Sequence, residues 1–153
     1  MKSVLFASAV VLSSLHAQGK VKTASPVLTV SDARIFAPLK GTNATAGYAT
    51  ITNTTDKEIK VTLEKAAPFK AVELHQTVEK EGRMAMEKLT ELSIPANGSV
   101  ELKPGGNHIM LFDASRPVKE KEVIKVLFKV DGKTQELSFK VVPRVGVPEH
   151  AHH

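Results

Sequence analysis

The sequence predicts an all-β domain, a Greek-key sandwich or barrel. Three observations lead there. Short stretches of alternating apolar and polar residues recur along the chain. Clusters of Gly, Pro, Asn and Asp separate them at regular intervals. No stretch carries the apolar spacing of a convincing amphipathic helix.

About nine short strands result. Residues 27–30 open the series, residues 46–53 alternate, and residues 59–63 alternate cleanly. Residues 34–40 read as a short irregular turn between the first two. In residues 71–78, Val72 and Leu74 face one way, and Glu73, His75 and Thr77 the other. A turn around Glu81-Gly82 folds this strand onto a long run, residues 84–94. Residues 95–98, Pro-Ala-Asn-Gly, turn the chain into residues 100–102. Pro104-Gly105-Gly106 turns it again into residues 108–112. The last two strands, residues 123–130 and 135–142, flank Asp131-Gly132, a strong hairpin signal.

The ends read differently. Lys2, an apolar run at 4–12 and small residues up to Ala17 form the pattern of a cleavable secretory signal. The run is too short to span a membrane, so no membrane insertion is expected after cleavage. With no cysteine there is no thiol for lipid attachment. The expected organisation is a signal peptide at 1–17, a loose leader at 18–26, one domain at 27–142 and a mobile tail at 143–153. Loss of Lys2 leaves 20 basic against 16 acidic residues, a net charge of +4. The charges are interspersed, as on a solvated surface. No basic cluster interleaves with aromatics, so nucleic-acid binding is not expected. A monomer with a mild, salt-screened attraction to an acidic partner is.

The chemistry is concentrated in residues 75–110. Outside the first seventeen and last four residues, His75, Met84, Met86, His108 and Met110 are the only His or Met in the chain. Methionine used as core filler would be scattered. His108 and Met110 are two apart, so on a strand they share a face, while Ile109 and Leu111 take the other. Met84 and Met86 repeat the spacing. If the hairpin loop is Glu81-Gly82, Thr77 pairs with Met86. His75 is then a diagonal neighbour of Met86, with Cβ atoms roughly 7–8 Å apart. All these donors lie away from the aliphatic residues, which implies a shallow site reachable from outside. Imidazoles and thioethers are neutral and soft, a set suited to Cu(I) rather than zinc. His150, His152 and His153 in the tail would favour Cu(II) as a weaker second site.

At these residues the chain resembles the periplasmic PCu(A)C copper chaperones. Their motif is a His, ten residues, a Met, twenty-one residues, then His-x-Met. His75, Met86, His108 and Met110 fit it without a gap, and Pro104 to Leu111 resembles the family's glycine turn and strand. Many members have Met directly after the first His; this chain has Gln76 there, and Met84 is an additional thioether. Some members carry a longer His/Met-rich tail that takes Cu(II). The resemblance implies a cupredoxin-like fold and a periplasmic Cu(I) metallochaperone. It implies delivery toward the CuA site of cytochrome c oxidase, with oxidase subunit II or a thioredoxin-fold assembly factor as acceptor. A periplasmic buffer or resistance protein would use the same ligands. Electron transfer through a blue-copper site would need a Cys thiolate, which is absent. A metal-free binding sandwich would take up no Cu(I). No enzyme is expected: there is no Cys nucleophile, no Ser/His/Asp order and no phosphate-binding glycine loop.

Overall fold

Two-residue turns set the most local part of the architecture. Glu81 and Gly82 have φ of 52° and 75°, and Asp131 and Gly132 have 47° and 75°. Positive φ at both central residues is the type I′ geometry, whose twist matches that of paired strands. The structure is a computed structural model and describes residues 25–144. The expected signal peptide, most of the leader, and tail histidines His150, His152 and His153 lie outside the described residues.

Ten strands follow one another: β1 (Leu28–Phe36), β2 (Ala44–Asn53), β3 (Ile59–Lys65), β4 (Phe69–Lys80), β5 (Arg83–Leu89), β6 (Leu92–Ile94), β7 (Ser99–Leu102), β8 (His108–Ala114), β9 (Val123–Val130) and β10 (Lys133–Val142). There is no helix among the described residues. Hydrogen-bonded order is β5-β4-β8-β2-β1-β10-β9-β3-β6, with β7 also paired to β2. Every pairing is antiparallel except β1 with β10. Buried side chains from all parts of this order, including Ile109 and Leu111 of β8, Ile35 of β1, Phe139 of β10, Phe128 of β9 and Ile94 of β6, form one cluster. The sheet therefore folds over on itself around a single core, with β1 carrying the chain of hydrogen bonds from one layer to the other.

Two elements differ from expectation. The run at 84–94 is two strands, not one. β5 pairs with β4, whereas β6 pairs with β3 at the opposite end of the order. The chain crosses between layers at Thr90-Glu91, where the apolar alternation slips by one residue, from half-buried Leu89 to buried Leu92 and Ile94. β1 runs on through Phe36 where an irregular turn was expected. A bulge between Ser31 and Arg34, with Asp32 at φ 52°, shifts its phase by one residue. Leu28 faces the core before the bulge and Ile35 after it, so Arg34 and Phe36 share the outer face.

Candidate metal centre

β8 presents its residues as the alternation demands. Ile109 and Leu111 are fully buried in the core, which turns His108 and Met110 to the other face. On β4, Leu74 is buried and Glu73, His75 and Thr77 take that same outer face. The two strands are in register with His75 directly opposite His108, Leu74 opposite Ile109, and Glu73 opposite Met110. The imidazole centroids are 5.9 Å apart. On the other side of β4, Thr77 pairs with Met86 and His75 with Lys88. Met86 is thus the diagonal neighbour of His75, as the hairpin predicted.

The register places the two thioethers on opposite sides of the imidazole pair. Met86 lies one same-face step along the strands in the Thr77 direction, and Met110 one step in the Glu73 direction. Met84 is opposite Glu79, a further step away. At about 3.4 Å per residue, it sits roughly 14 Å along the strand from the His75 row. His75, Met86, His108 and Met110 form a group, and Met84 stands outside it.

The site is not the shallow patch expected. His108 is only 5% exposed, and the His75 side chain 17%. Met110 is half-buried, while Met86 and Met84 are 55% and 66% exposed. The reason is what lies beside the face. The Tyr48 ring of β2 is 6.4 Å from His108, and the Phe112 ring is 6.4 Å from His75. Burial raises the Tyr48 pKa, so the phenol stays a neutral wall. At the top of β8, Lys103 to Gly106 form a turn closed by a Gly106 N–H to Lys103 carbonyl bond of 3.0 Å. Pro104 fixes its first corner and Gly105, at φ 76°, its second. That turn brings the Gly106 carbonyl over the imidazole.

Hydrogen bonds orient both rings. A carbonyl only accepts, so His108 Nδ1–H donates to Gly106 O at 2.9 Å, and Nε2 keeps the lone pair. His75 Nε2–H donates to Glu73 Oε2 at 2.8 Å. Glu73 Oε1 in turn accepts from Lys88 Nζ at 2.7 Å. These contacts, from Lys88 first and His75 second, hold the Glu73 carboxyl below its ordinary pKa and keep it ionised. His75 Nδ1 is left buried with no hydrogen-bond partner, the single such side-chain atom among the described residues. A buried acceptor without a partner costs about 1–3 kcal/mol, and an electrophilic ion is one species that would satisfy it. Among the described residues no three His, Cys, Asp or Glu gather at metal-holding distance, and the side chains one same-face step from this pair include the thioethers of Met86 and Met110.

The His108 pKa is lowered, mainly by burial; the Gly106 carbonyl opposes this and a charge on His75 would add to it. Its neutral, lone-pair-bearing form therefore persists to lower pH than for a free histidine. An NMR titration of the metal-free protein should place the His108 midpoint below about 6.5. The unfolded chain takes up this proton first, so the His108 contribution to stability should be intact above about pH 6.5 and fall on acidification toward the folded-state midpoint. A midpoint at or above the free value would contradict the burial seen here.

Glu73, Lys88, Tyr48 and Phe112 did not emerge from the sequence. Glu73 was detectable in principle, since Glu73-Leu74-His75 puts the carboxylate two residues from the imidazole on one face. Tyr48 and Phe112 come from strand pairings that local pattern does not specify.

The family model "Putative lipoprotein LpqE-like" matches residues 28–141. "Putative lipoprotein Lxx21020" of Leifsonia xyli subsp. xyli is 30% identical over 112 residues, 72% of this chain and 68% of that protein. The solution structure of Cu(I)-DR1885 from Deinococcus radiodurans is 30% identical, with a TM-score of 0.64 over 84% of this chain and 87% of that one. The copper-bound PCuAC domain from PmoF2 is 20% identical, with a TM-score of 0.59 over 77% and 94%, a likeness of fold. The ten-stranded structure is thus of the cupredoxin-like class expected.

Proposed function

The chain belongs to the LpqE-like family, that of the PCu(A)C copper chaperones, and on that premise we propose that it is an exported Cu(I) carrier holding one ion with His75, Met86, His108 and Met110. The observation that carries this reading is the buried, unpartnered Nδ1 of His75, whose ring lies 5.9 Å from that of His108, with a methionine one same-face step to either side along the strands. Two imidazoles and two thioethers form a neutral, soft donor set that matches Cu(I). The relatives whose structures are described as copper-bound support the choice of metal.

The geometry also suits transfer. The histidines are sunk and oriented, so they retain the ion; Met86 projects into solvent and is the donor an acceptor can replace first. Delivery toward the CuA site of cytochrome c oxidase, to subunit II or a thioredoxin-fold assembly factor, is the proposed destination. Export to the periplasm through the segment at 1–17 accords with the lipoprotein names of the family model and the Leifsonia relative, although these 153 residues contain no cysteine to lipidate. The domain is proposed to span 27–142. The tail at 143–153 would supply the separate, weaker Cu(II) site through His150, His152 and His153.

Met84 is assigned an accessory role because of its distance from the histidine row. Chelator competition should show Met86→Ala losing at least about tenfold in Cu(I) affinity, or 1.4 kcal/mol, and Met84→Ala much less. Equal losses would put Met84 in the ligand set. Deletion of the gene tests delivery: oxidase activity should fall at low copper and recover on copper supplementation. Copper sensitivity with normal oxidase activity would instead support a buffer.

A further inference from the structure

We propose that Glu73 is the positioning residue of this centre, committing His75 to bind copper through Nδ1 while the Gly106 carbonyl commits His108 to Nε2. This rests on the copper-binding reading above and goes beyond it by naming the donor atom of each ring and the group that selects it.

The local sequence makes the contact. Glu73 and His75 are two apart on β4 and share its outer face, so the carboxylate can reach the ring of its own-strand neighbour. It does so at 2.8 Å, on Nε2. A neutral imidazole carries one N–H. With that hydrogen on Nε2, the carboxylate accepts a charge-assisted bond and Nδ1 holds the lone pair. With it on Nδ1, two penalties arise together. The Nε2 lone pair would face an ionised carboxylate, and a buried N–H would have no acceptor. Lys88, the cross-strand partner of His75, fixes the other carboxylate oxygen at 2.7 Å and so restrains Glu73 on the ring. The two histidines are therefore presented unequally. His108 is held at Nδ1 by a neutral carbonyl, His75 at Nε2 by an anion.

The anion has a second consequence. A carboxylate on the imidazole N–H raises the basicity of the opposite nitrogen and fixes ring orientation. Glu73 thus supplies the one negative charge hydrogen-bonded to an otherwise neutral donor set, without being a ligand itself.

Ring-nitrogen NMR on the nitrogen-15-labelled metal-free protein at about pH 8, where neutral imidazole dominates, reads the tautomers directly. His75 should be protonated at Nε2 and bare at Nδ1; His108 should be the reverse. On adding Cu(I), the large shifts should fall on Nδ1 of His75 and Nε2 of His108. Glu73→Leu should give a mixture of His75 tautomers and lose about 10–100-fold in Cu(I) affinity. Glu73→Gln retains an acceptor oxygen without the charge, so it should keep the tautomer and lose less. A wild-type protein that binds Cu(I) tightly with the shift on Nε2 of His75 overturns this inference and leaves the copper reading standing. So does a folded Glu73→Leu variant with unchanged tautomer and affinity. A wild-type protein that takes up no Cu(I) sinks both.

Discussion

Ile109→Ala is expected to lower the stability of the metal-free protein by about 2–5 kcal/mol, the usual cost of removing a large aliphatic side chain from a packed core. Ile109 is fully buried, between the two candidate ligands of β8 in sequence and opposite Leu74 of β4 across the ladder. It also faces Gly47 of β2, where a Cβ would meet Ile35 at 3.2 Å, so this part of the core has little slack. The substitution touches none of His75, Met86, His108 or Met110. Chelator competition on the folded fraction should therefore find Cu(I) affinity changed far less than stability. Thermal or denaturant unfolding followed by that competition decides the point. A variant that kept its stability and lost copper would invert the face assignment of the whole strand.

His108→Ala is expected to do both kinds of damage. Loss of an imidazole donor should weaken Cu(I) binding by at least about tenfold, or 1.4 kcal/mol. Because His108 is buried and donates to the Gly106 carbonyl, its removal also costs packing and one hydrogen bond, the bond alone contributing about 0.5–1.5 kcal/mol, while the carbonyl keeps the Thr77 N–H at 3.2 Å. Copper binding should thus prove separable from folding at exposed Met86 but not at His108. Unfolding of the metal-free variant beside the wild type measures the second effect. An unchanged midpoint would mean that the His108 ring and its bond to Gly106 add no net stability, and that the turn at 103–106 is looser than it stands here.

Much of the site was legible because it depends on local rules. The Glu81-Gly82 turn fixed the hairpin register, and with it Thr77 opposite Met86. Two-residue periodicity separated His108 and Met110 from Ile109 and Leu111. What failed to show is non-local. β4 and β8 are adjacent in space but separated in sequence by β5, β6 and β7, so no local pattern says that His75 stands opposite His108. Alternation assigns a side chain to a face without saying what flanks it; hence the burial of His108 beside Tyr48 and under the Gly106 turn was missed. The crossing at Thr90-Glu91 leaves only the three-residue step from Leu89 to Leu92, and a slip of one residue fits a bulge within one long strand as well as a passage to another layer. The bulge in β1 lacks a local signature beyond Asp32, whose side chain tolerates a positive φ.

We propose that two oriented imidazoles and two thioethers form one Cu(I) site on the outer face of β4, β5 and β8. X-ray absorption on protein loaded with one equivalent of Cu(I), in the presence of a competing chelator, tests it most directly. One tightly held copper per chain is expected, with two nitrogen and two sulfur neighbours, and loss of one sulfur in Met86→Ala. A copper with no sulfur neighbours, or one whose coordination was unchanged in both Met86→Ala and Met110→Ala, would contradict it.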